Sequence, residues 1–387
     1  MDFCSDISNL NEDEKVLLEN GIIVDNSKNE YFDIIKQFQK NLVEDKLKII
    51  LMTTEDCNFR CSYCYQNKIH RKIEKNIYDD LLKIISDNRK LRCVNVSWFG
   101  GEPLLEVNNI KYFMQNLKNI QSTRHLDINY DMTTNGYLLT LDTLKEFIDF
   151  KLDTFFITID GLPEIHNKYR HLANGNGTYS KILENLVKMK YTDYRFKIVV
   201  RINFDAISSY EQFIDELSLL FNNDSRYSFY FRPISNWDNH IRDYVCNEEE
   251  SYKKIIYLEK YAIEKELLMY SNELDELFED QLCYAGLPNS FIIFPDGSLK
   301  KCTIAMEDPI NNIGLVANHK FILDEQLHNK WINSIDIECE SCEILPQCFG
   351  KKCPYERLKN KKEIHCKERS IKRINEIIVK QYGDYNE

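Results

Sequence analysis

The chain has 387 residues, with 50 Lys and Arg against 62 Asp and Glu, and a formal net charge of −12 at pH 7. That acidity, with no compensating Lys/Arg block, argues against a nucleic-acid partner. No apolar run approaches the roughly 18 residues that a membrane span needs, and the acidic amino terminus MDFCSDISNLNEDEK has no apolar signal core, so a cytoplasmic protein is expected. The outlier is cysteine. Of 13, ten fall in two groups, at positions 57–64 and 283–366. A cytoplasmic chain has little use for disulfides, so dense thiols there point to metal or redox chemistry.

In chain order, residues 1–46 read as an appendage with helical stretches and one strand-like run at Gly21–Val24. Strands are then predicted at Leu47–Thr54, Cys93–Phe99, Leu126–Thr133, Thr154–Asp160, Phe196–Asn203 and Tyr227–Pro233. Amphipathic helical patterns separate them, such as Ile77–Arg89, Val107–Leu117, Leu141–Phe150 and Tyr179–Met189. Six such alternations imply an α/β fold with a parallel sheet and helices outside it, either doubly wound or a partial barrel. In both, functional loops follow the carboxyl ends of the strands. A connecting helix or helical pair is predicted over roughly Glu248–Glu279, then a cysteine-dense, turn-rich segment at Gln281–Glu368 whose own core looks thin enough to need metal, and a last helix at Ile371–Gln381. The expected units are 1–46, 47–238, 239–280, 281–370 and 371–387.

Directly after the first strand comes Cys57-x3-Cys61-x2-Cys64. Three thiols so spaced on one loop can share an inorganic cube, each taking one iron corner, and a cluster held wholly by protein would need a fourth. One iron would then stay open to a small molecule. A zinc site is the alternative, but no further His or Cys stands at the usual short spacing to complete it. A buried, unligated trio is the other.

The cysteine trio, with Tyr63 inside it, resembles the signature of the radical S-adenosylmethionine (SAM) superfamily. The second strand ends in Trp98-Phe99-Gly100-Gly101-Glu102-Pro103, which resembles that family's GGEP motif. The resemblance covers roughly residues 47–238 and implies a partial (β/α)6, TIM-like barrel. It implies a [4Fe–4S] cluster on Cys57, Cys61 and Cys64, with the amino and carboxylate groups of SAM on the open iron. Reductive cleavage would yield a 5′-deoxyadenosyl radical that abstracts a substrate hydrogen, the hard chemistry belonging to the cofactor. Gly100, Gly101, Glu102 and Pro103 would meet the SAM amino group, glycine letting the backbone approach closely. Tyr63, Asn135, Asp160, Arg170, Arg201 and Asn203 are the other expected SAM contacts. Asn135 and Gly136 also suit a plain turn, and Asp160 a loop cap. Arg170 closes the run His166–Arg170, which resembles a segment of the peptide-modifying branch, and would meet an anionic group of SAM or substrate. No catalytic side chain is assigned.

The second group runs Cys283-x13-Gly297-x4-Cys302, then Cys339-x2-Cys342-x5-Cys348-x4-Cys353-x12-Cys366. It resembles the SPASM domain, a small cysteine-rich iron–sulfur unit with two auxiliary [4Fe–4S] clusters, making three clusters in all. A zinc ribbon is the alternative, although seven cysteines cannot fill two tetrahedral sites. The resemblance assigns Cys339, Cys342, Cys348 and Cys366 to the distal cluster, and Cys283, Cys302 and Cys353 to the proximal one. Two features depart from it. The x4 step before Cys353 replaces an x3 step, which a bulge near Gly350 could absorb. Sulfatase-maturing relatives have a further cysteine where this chain has Asn289, and a catalytic aspartate where it has Thr303. The proximal cluster would then keep an open iron, with Cys246 the nearest candidate fourth ligand and Cys93 and Cys4 ordinary thiols.

The resemblance therefore implies a maturase of a ribosomally made precursor peptide. The preferred reaction is a cysteine thioether cross-link, since an open iron makes a substrate thiolate available at neutral pH. Sulfatase maturation to formylglycine is the alternative, as are carbon–carbon and carbon–oxygen cross-links. A flavodoxin- or ferredoxin-type electron donor is implied. Only 46 residues precede the first strand, too few for a whole winged-helix leader-binding module, so a separate leader-binding protein is a candidate partner. An iron–sulfur electron carrier and a zinc-held peptide-binding module are the other classes; the Gly100–Pro103 motif disfavours the first, and metal content decides the second.

Overall fold

A computed structural model describes residues 11, 15, 30–42, 45–235, 245, 247–270, 282–332, 342, 345 and 353–359. Six parallel strands follow the predicted alternation: β1 (Lys46–Met52), β2 (Cys93–Phe99), β3 (Asp127–Thr134), β4 (Leu152–Thr158), β5 (Lys197–Phe204) and β6 (Tyr227–Pro233). They lie side by side in chain order. This settles the open choice of architecture. A doubly wound sheet reverses its strand order at a switch point; here nothing reverses, so the crossovers wind one way and their helices cover one face.

The burial pattern agrees. Val94, Val96 and Trp98 of β2 are buried against helices, while Asn95, Ser97 and Phe99 between them are only half-buried on the other, concave face. Trp98 packs edge-on to Phe113 of the helix Val107–Ser122, with ring centroids 5.7 Å apart. The concave face is thus left for polar side chains, such as Ser97, which donates to Asp131 of β3 at 2.7 Å.

Both edges of the six-stranded unit are extended. The segment Leu268–Tyr270 pairs with Phe229 of β6 through two hydrogen bonds of 2.9 Å. On the other side β7 (Ser290–Ile293) pairs in parallel with β1, and the meander β8 (Ser298–Lys300), β9 (Asn312–Ala317), β10 (Lys320–Leu323) continues outward to a ten-stranded sheet. In this stretch Phe291, Ile293, Leu299, Ile313, Val316 and Trp331 join the main core.

The first part of the predicted connecting stretch is a helix, Glu248–Glu264, behind a capping box of Asn247 and Glu250, and 271–279 lie outside the described residues. Glu266 then adopts φ +61°, which a helix cannot contain, and the chain turns into the Leu268–Tyr270 extension. In the appendage, the helix Glu30–Asn41 packs Ile34 and Phe38 on Leu282 and Leu345, so it leans on the cysteine-rich end of the chain. Gly21–Val24, Gly350, the helix at 371–381, and Cys4, Cys246, Cys339, Cys348 and Cys366 lie outside the described residues. Among the described residues no helix is long and apolar enough to cross a membrane.

Candidate active site

The cysteine loop leaves β1 at its carboxyl end, and its base is tied down first. Glu55, almost fully buried, takes a two-pronged ion pair from Arg71, at 2.6 Å from Nε and 3.0 Å from the second nitrogen. Its far side is held along the main chain. Arg60 N–H donates to the His171 carbonyl (2.8 Å), Ser62 N–H to that of Tyr169 (2.9 Å), and Ala173 N–H to that of Asn58 (2.9 Å). The loop is zipped to the segment that follows the helix Pro163–Tyr169, with Phe59 fully buried between them.

Cys57, Cys61 and Cys64 are free and half-buried on this loop. Burial pushes the Cys57 thiol up to about 12, although the Phe59 N–H donates to its sulfur at 3.3 Å. Cys61 is also raised by burial, with the Arg170 charge working against the rise. Unoxidised sulfurs fixed at the mouth of a sheet, in a site that resists a bare thiolate, suit a positively charged metal centre that supplies the missing compensation. Among the described residues no three His, Cys, Asp or Glu side chains converge on a point for a single ion. A cluster asks instead for one sulfur per iron at separate corners.

Gly100 and Gly101 lie flush on this loop. A Cβ on Gly100, which sits at φ +137°, would stand 2.4 Å from the Thr54 carbonyl oxygen, and one on Gly101 only 2.0 Å from that of Asp56. The glycines therefore admit the loop itself, a reason the motif alone does not reveal. Glu102 is fully buried and accepts from Thr134 Oγ1 (2.7 Å), Asn135 N–H (2.7 Å) and Leu104 N–H (3.0 Å). It braces β2 to β3, and Pro103 opens the short turn Pro103–Glu106 beneath it. Asn135 reaches back to the cysteine loop, donating to Asn58 Oδ1 at 2.8 Å.

A second polar knot joins the ends of β4 and β5. Asp160, fully buried, accepts from the Tyr63 hydroxyl and from both the backbone and side-chain nitrogens of Asn203 at 3.1 Å. The same hydroxyl accepts from Arg170 (2.9 Å) and Asn203 (3.1 Å), and Arg201 Nε donates to Asn203 Oδ1 at 2.8 Å. His166, whose burial holds it neutral, accepts from Asp160 N–H at 3.1 Å and meets Thr178 Oγ1 at 3.0 Å. So Tyr63, Asp160, Arg170, Arg201 and Asn203 form one network beside the group of Gly100–Pro103 and Asn135.

Comparison with known proteins decides what the network frames: residues 51–203 match the radical SAM superfamily. The chain is an enzyme with a radical SAM domain. Superfamily membership implies a [4Fe–4S] cluster and SAM. A cysteine-type anaerobic sulfatase-maturating enzyme of Clostridium novyi is 25% identical over 337 residues, which span 78% of this chain and 86% of that protein. A structure described as native anSMEcpe with bound AdoMet (SAM) superposes with TM-score 0.64 at 18% identity, covering 86% of this chain and 96% of that one. Streptococcus suis SuiB bound to precursor peptide SuiA gives 0.56 at 15% identity, covering 90% and 85%. At such identities these two structures report the fold.

Beside the radical SAM domain, the second cysteine group is partly described. Cys302 is buried and Cys283 and Cys353 are exposed, yet the three lie near enough that each of the other two raises the Cys302 thiol, after burial as the main cause. Asn311 fixes Cys302: its Oδ1 accepts from the Lys301 and Cys302 N–H groups at 2.9 Å, and its Nδ2 donates to the Cys302 and Ala305 carbonyls at 2.8 and 2.9 Å. Cys342 is half-buried, packed beside Leu345 and the helix Glu30–Asn41. Two side chains that the motifs did not flag lie beside these thiols. Tyr65 is close enough to feel both Cys64 and Cys302, and Tyr284 feels Cys283 and Cys302 while its hydroxyl meets Thr303 Oγ1 at 2.8 Å. Only their adjacency to cysteines could have marked them. Asn289 gives its carbonyl to Lys48 N–H (2.9 Å), extending the β1–β7 pairing.

Proposed function

We propose that this radical SAM enzyme is a maturase of a ribosomally made precursor peptide, and that it joins a cysteine sulfur to a carbon of the same peptide. One observation carries the reading: with β7 paired on β1, Tyr65 neighbours both Cys64 of the first loop and Cys302, and Cys283 and Cys353 lie close to Cys302 in turn. A peptide lying between them would meet radical chemistry on one side and a thiolate-binding metal on the other.

In this reading Cys57, Cys61 and Cys64 hold the SAM-binding [4Fe–4S] cluster, and Cys283, Cys302 and Cys353 hold an auxiliary one. Cys339, Cys342, Cys348 and Cys366 hold a third. When bound, the first cluster and SAM supply a 5′-deoxyadenosyl radical. The protein's own work is positional. Glu102, Asn135 and the glycines keep the loop closed on β2 and β3, while Arg201 and Asn203 complete the network that holds Tyr63 and Asp160 at the ends of β4 and β5. Desolvation keeps competing proton chemistry out. A low-potential flavodoxin or ferredoxin would deliver the electron, in the cytoplasm.

Likeness to the Clostridium novyi protein makes sulfatase maturation the second reading. Thr303 weighs against it, because its hydroxyl is engaged with Tyr284 and cannot serve as a carboxylate base. Carbon–carbon and carbon–oxygen cross-links share the same frame.

The test begins with iron and sulfide content after anaerobic reconstitution, where about twelve irons are expected at four per cluster. Replacing Cys57, Cys61 and Cys64 together by Ala should leave about eight. Cysteine-containing candidate peptides are then incubated with SAM and a reductant. A thioether appears as a loss of two hydrogens with one thiol consumed. Formylglycine appears as sulfur exchanged for oxygen together with the loss of two hydrogens, and would overturn the cross-link. About four irons with bound zinc would remove the auxiliary clusters from the scheme.

A further inference from the structure

Arg170 is a buried cation in want of an anion. The residue is only 8% exposed, one terminal nitrogen donates to the Tyr63 hydroxyl at 2.9 Å, and the guanidinium lies over the Phe59 ring at 5.7 Å. Nε is buried with no hydrogen-bond partner. Asp160 is linked to it through the shared Tyr63 hydroxyl, not by a direct ion pair. A desolvated charge left in this state is expensive unless an anion completes it. The groups that act on Arg170 most strongly are Tyr63, Cys61 and Asp160, and Cys61 in turn feels Arg170 more than any other charge.

The arginine is also held in place. Its N–H donates to the His166 carbonyl at 2.7 Å and its carbonyl accepts from Thr178 Oγ1 at 2.6 Å, while Tyr169 and His171 on either side carry the hydrogen bonds to the cysteine loop. A guanidinium cannot shed its proton in a protein. The position therefore presents a permanent positive charge under the loop that bears Cys57, Cys61 and Cys64.

We propose that Arg170 is the counter-ion of the iron–sulfur cluster on those three cysteines, with its free Nε–H as the available donor, and that it raises the reduction potential of that cluster. The inference rests on the assignment of the cluster to Cys57, Cys61 and Cys64, and it differs from the sequence-level expectation of a contact to SAM or substrate. The cluster and its thiolates gain one negative charge on reduction. A fixed cation beside them favours the reduced state, as hydrogen bonds to cluster sulfurs also do.

The experiment is a potentiometric EPR titration of the full-length reconstituted enzyme, following the signal that changes when SAM is added. Arg170→Gln should make that cluster at least tenfold less reduced at a fixed potential, which is about 59 mV for one electron. Arg170→Lys, which keeps the charge, should recover most of the shift. In wild-type protein labelled with 15N-arginine, pulsed EPR of the reduced cluster should show nitrogen coupling that Arg170→Lys abolishes. This second measurement decides the matter if Arg170→Gln fails to assemble. Unlabelled-like spectra in the wild type overturn the proposal. So does Arg170→Gln with full iron, an unmoved potential and weakened SAM binding, which would mark a SAM contact. If instead the triple cysteine variant keeps all its iron, the cluster assignment itself fails.

Discussion

The two groups of thiols are built in opposite ways. The loop of Cys57, Cys61 and Cys64 is interlocked on every side: with Arg71 at its base, with Gly100 and Gly101 beneath it, and with the backbone of Tyr169–Ala173 along its edge. In the Cys283, Cys302 and Cys353 group only Cys302, just after β8 of the added meander, is gripped, by Asn311, and the other two thiols are exposed. A site that must direct a reactive carbon radical is made rigid from four strand ends. A site that would bind a substrate sulfur is left approachable.

That contrast predicts separable failures. The largest concerns chemistry: Cys57→Ala should abolish both SAM cleavage and peptide modification, whereas Cys302→Ala should keep 5′-deoxyadenosine formation and lose the modified peptide. Chromatography of both products from each variant checks this, and loss of cleavage in Cys302→Ala would break the comparison. Next is Gly101→Ala. Its new methyl would collide with the Asp56 carbonyl, so the variant should lose stability by about 1–3 kcal/mol or more and fill the first cluster poorly. Iron content resolved by EPR should show the auxiliary clusters less affected.

Asn311→Ala sharpens the other side. It leaves two N–H groups and two carbonyls unsatisfied around Cys302, for a cost of about 1–3 kcal/mol. The auxiliary signal should broaden or vanish while SAM cleavage persists. The smallest effect is a control remote from both sites. Bonds from Ser209 and Tyr257 lower Glu211 to about 2. Its stabilisation is present above the ordinary carboxylate range and is lost as pH falls through about 2. The difference in urea midpoint between wild type and Glu211→Gln should therefore shrink from pH 7 to pH 4, with both cluster signals unchanged.

Much of the first site is legible in the sequence, and for a physical reason. Metal-ligand spacing and glycine contacts leave marks on residue identity, so Cys57–Cys64 and Gly100–Pro103 could be placed at strand ends. The six strands of the sheet declared themselves by alternating with amphipathic helices. Main-chain pairing leaves no such mark. The zip between Asn58–Ser62 and Tyr169–Ala173, and the docking of β7 on β1, use carbonyls and N–H groups that every residue has. Ser290–Ile293 is four residues long, too short to show a period amid turn-rich sequence. The break after the helix Glu248–Glu264 leaves no mark either, because Glu- and Leu-rich patterning continues past Glu266, where only the backbone angle records the stop.

The docking of β7 on β1 also bears on how the chain reaches its fold. Strand β1 emerges early in synthesis, yet the strand that covers its outer edge follows about 240 residues later. Until then β1 offers a row of unpaired backbone groups on an Ile- and Leu-rich strand, a template for pairing with another chain. Closing so distant a contact is slow. A truncation just before β7 should therefore aggregate through β1, and folding of the nascent chain should depend on that edge being shielded in the interval.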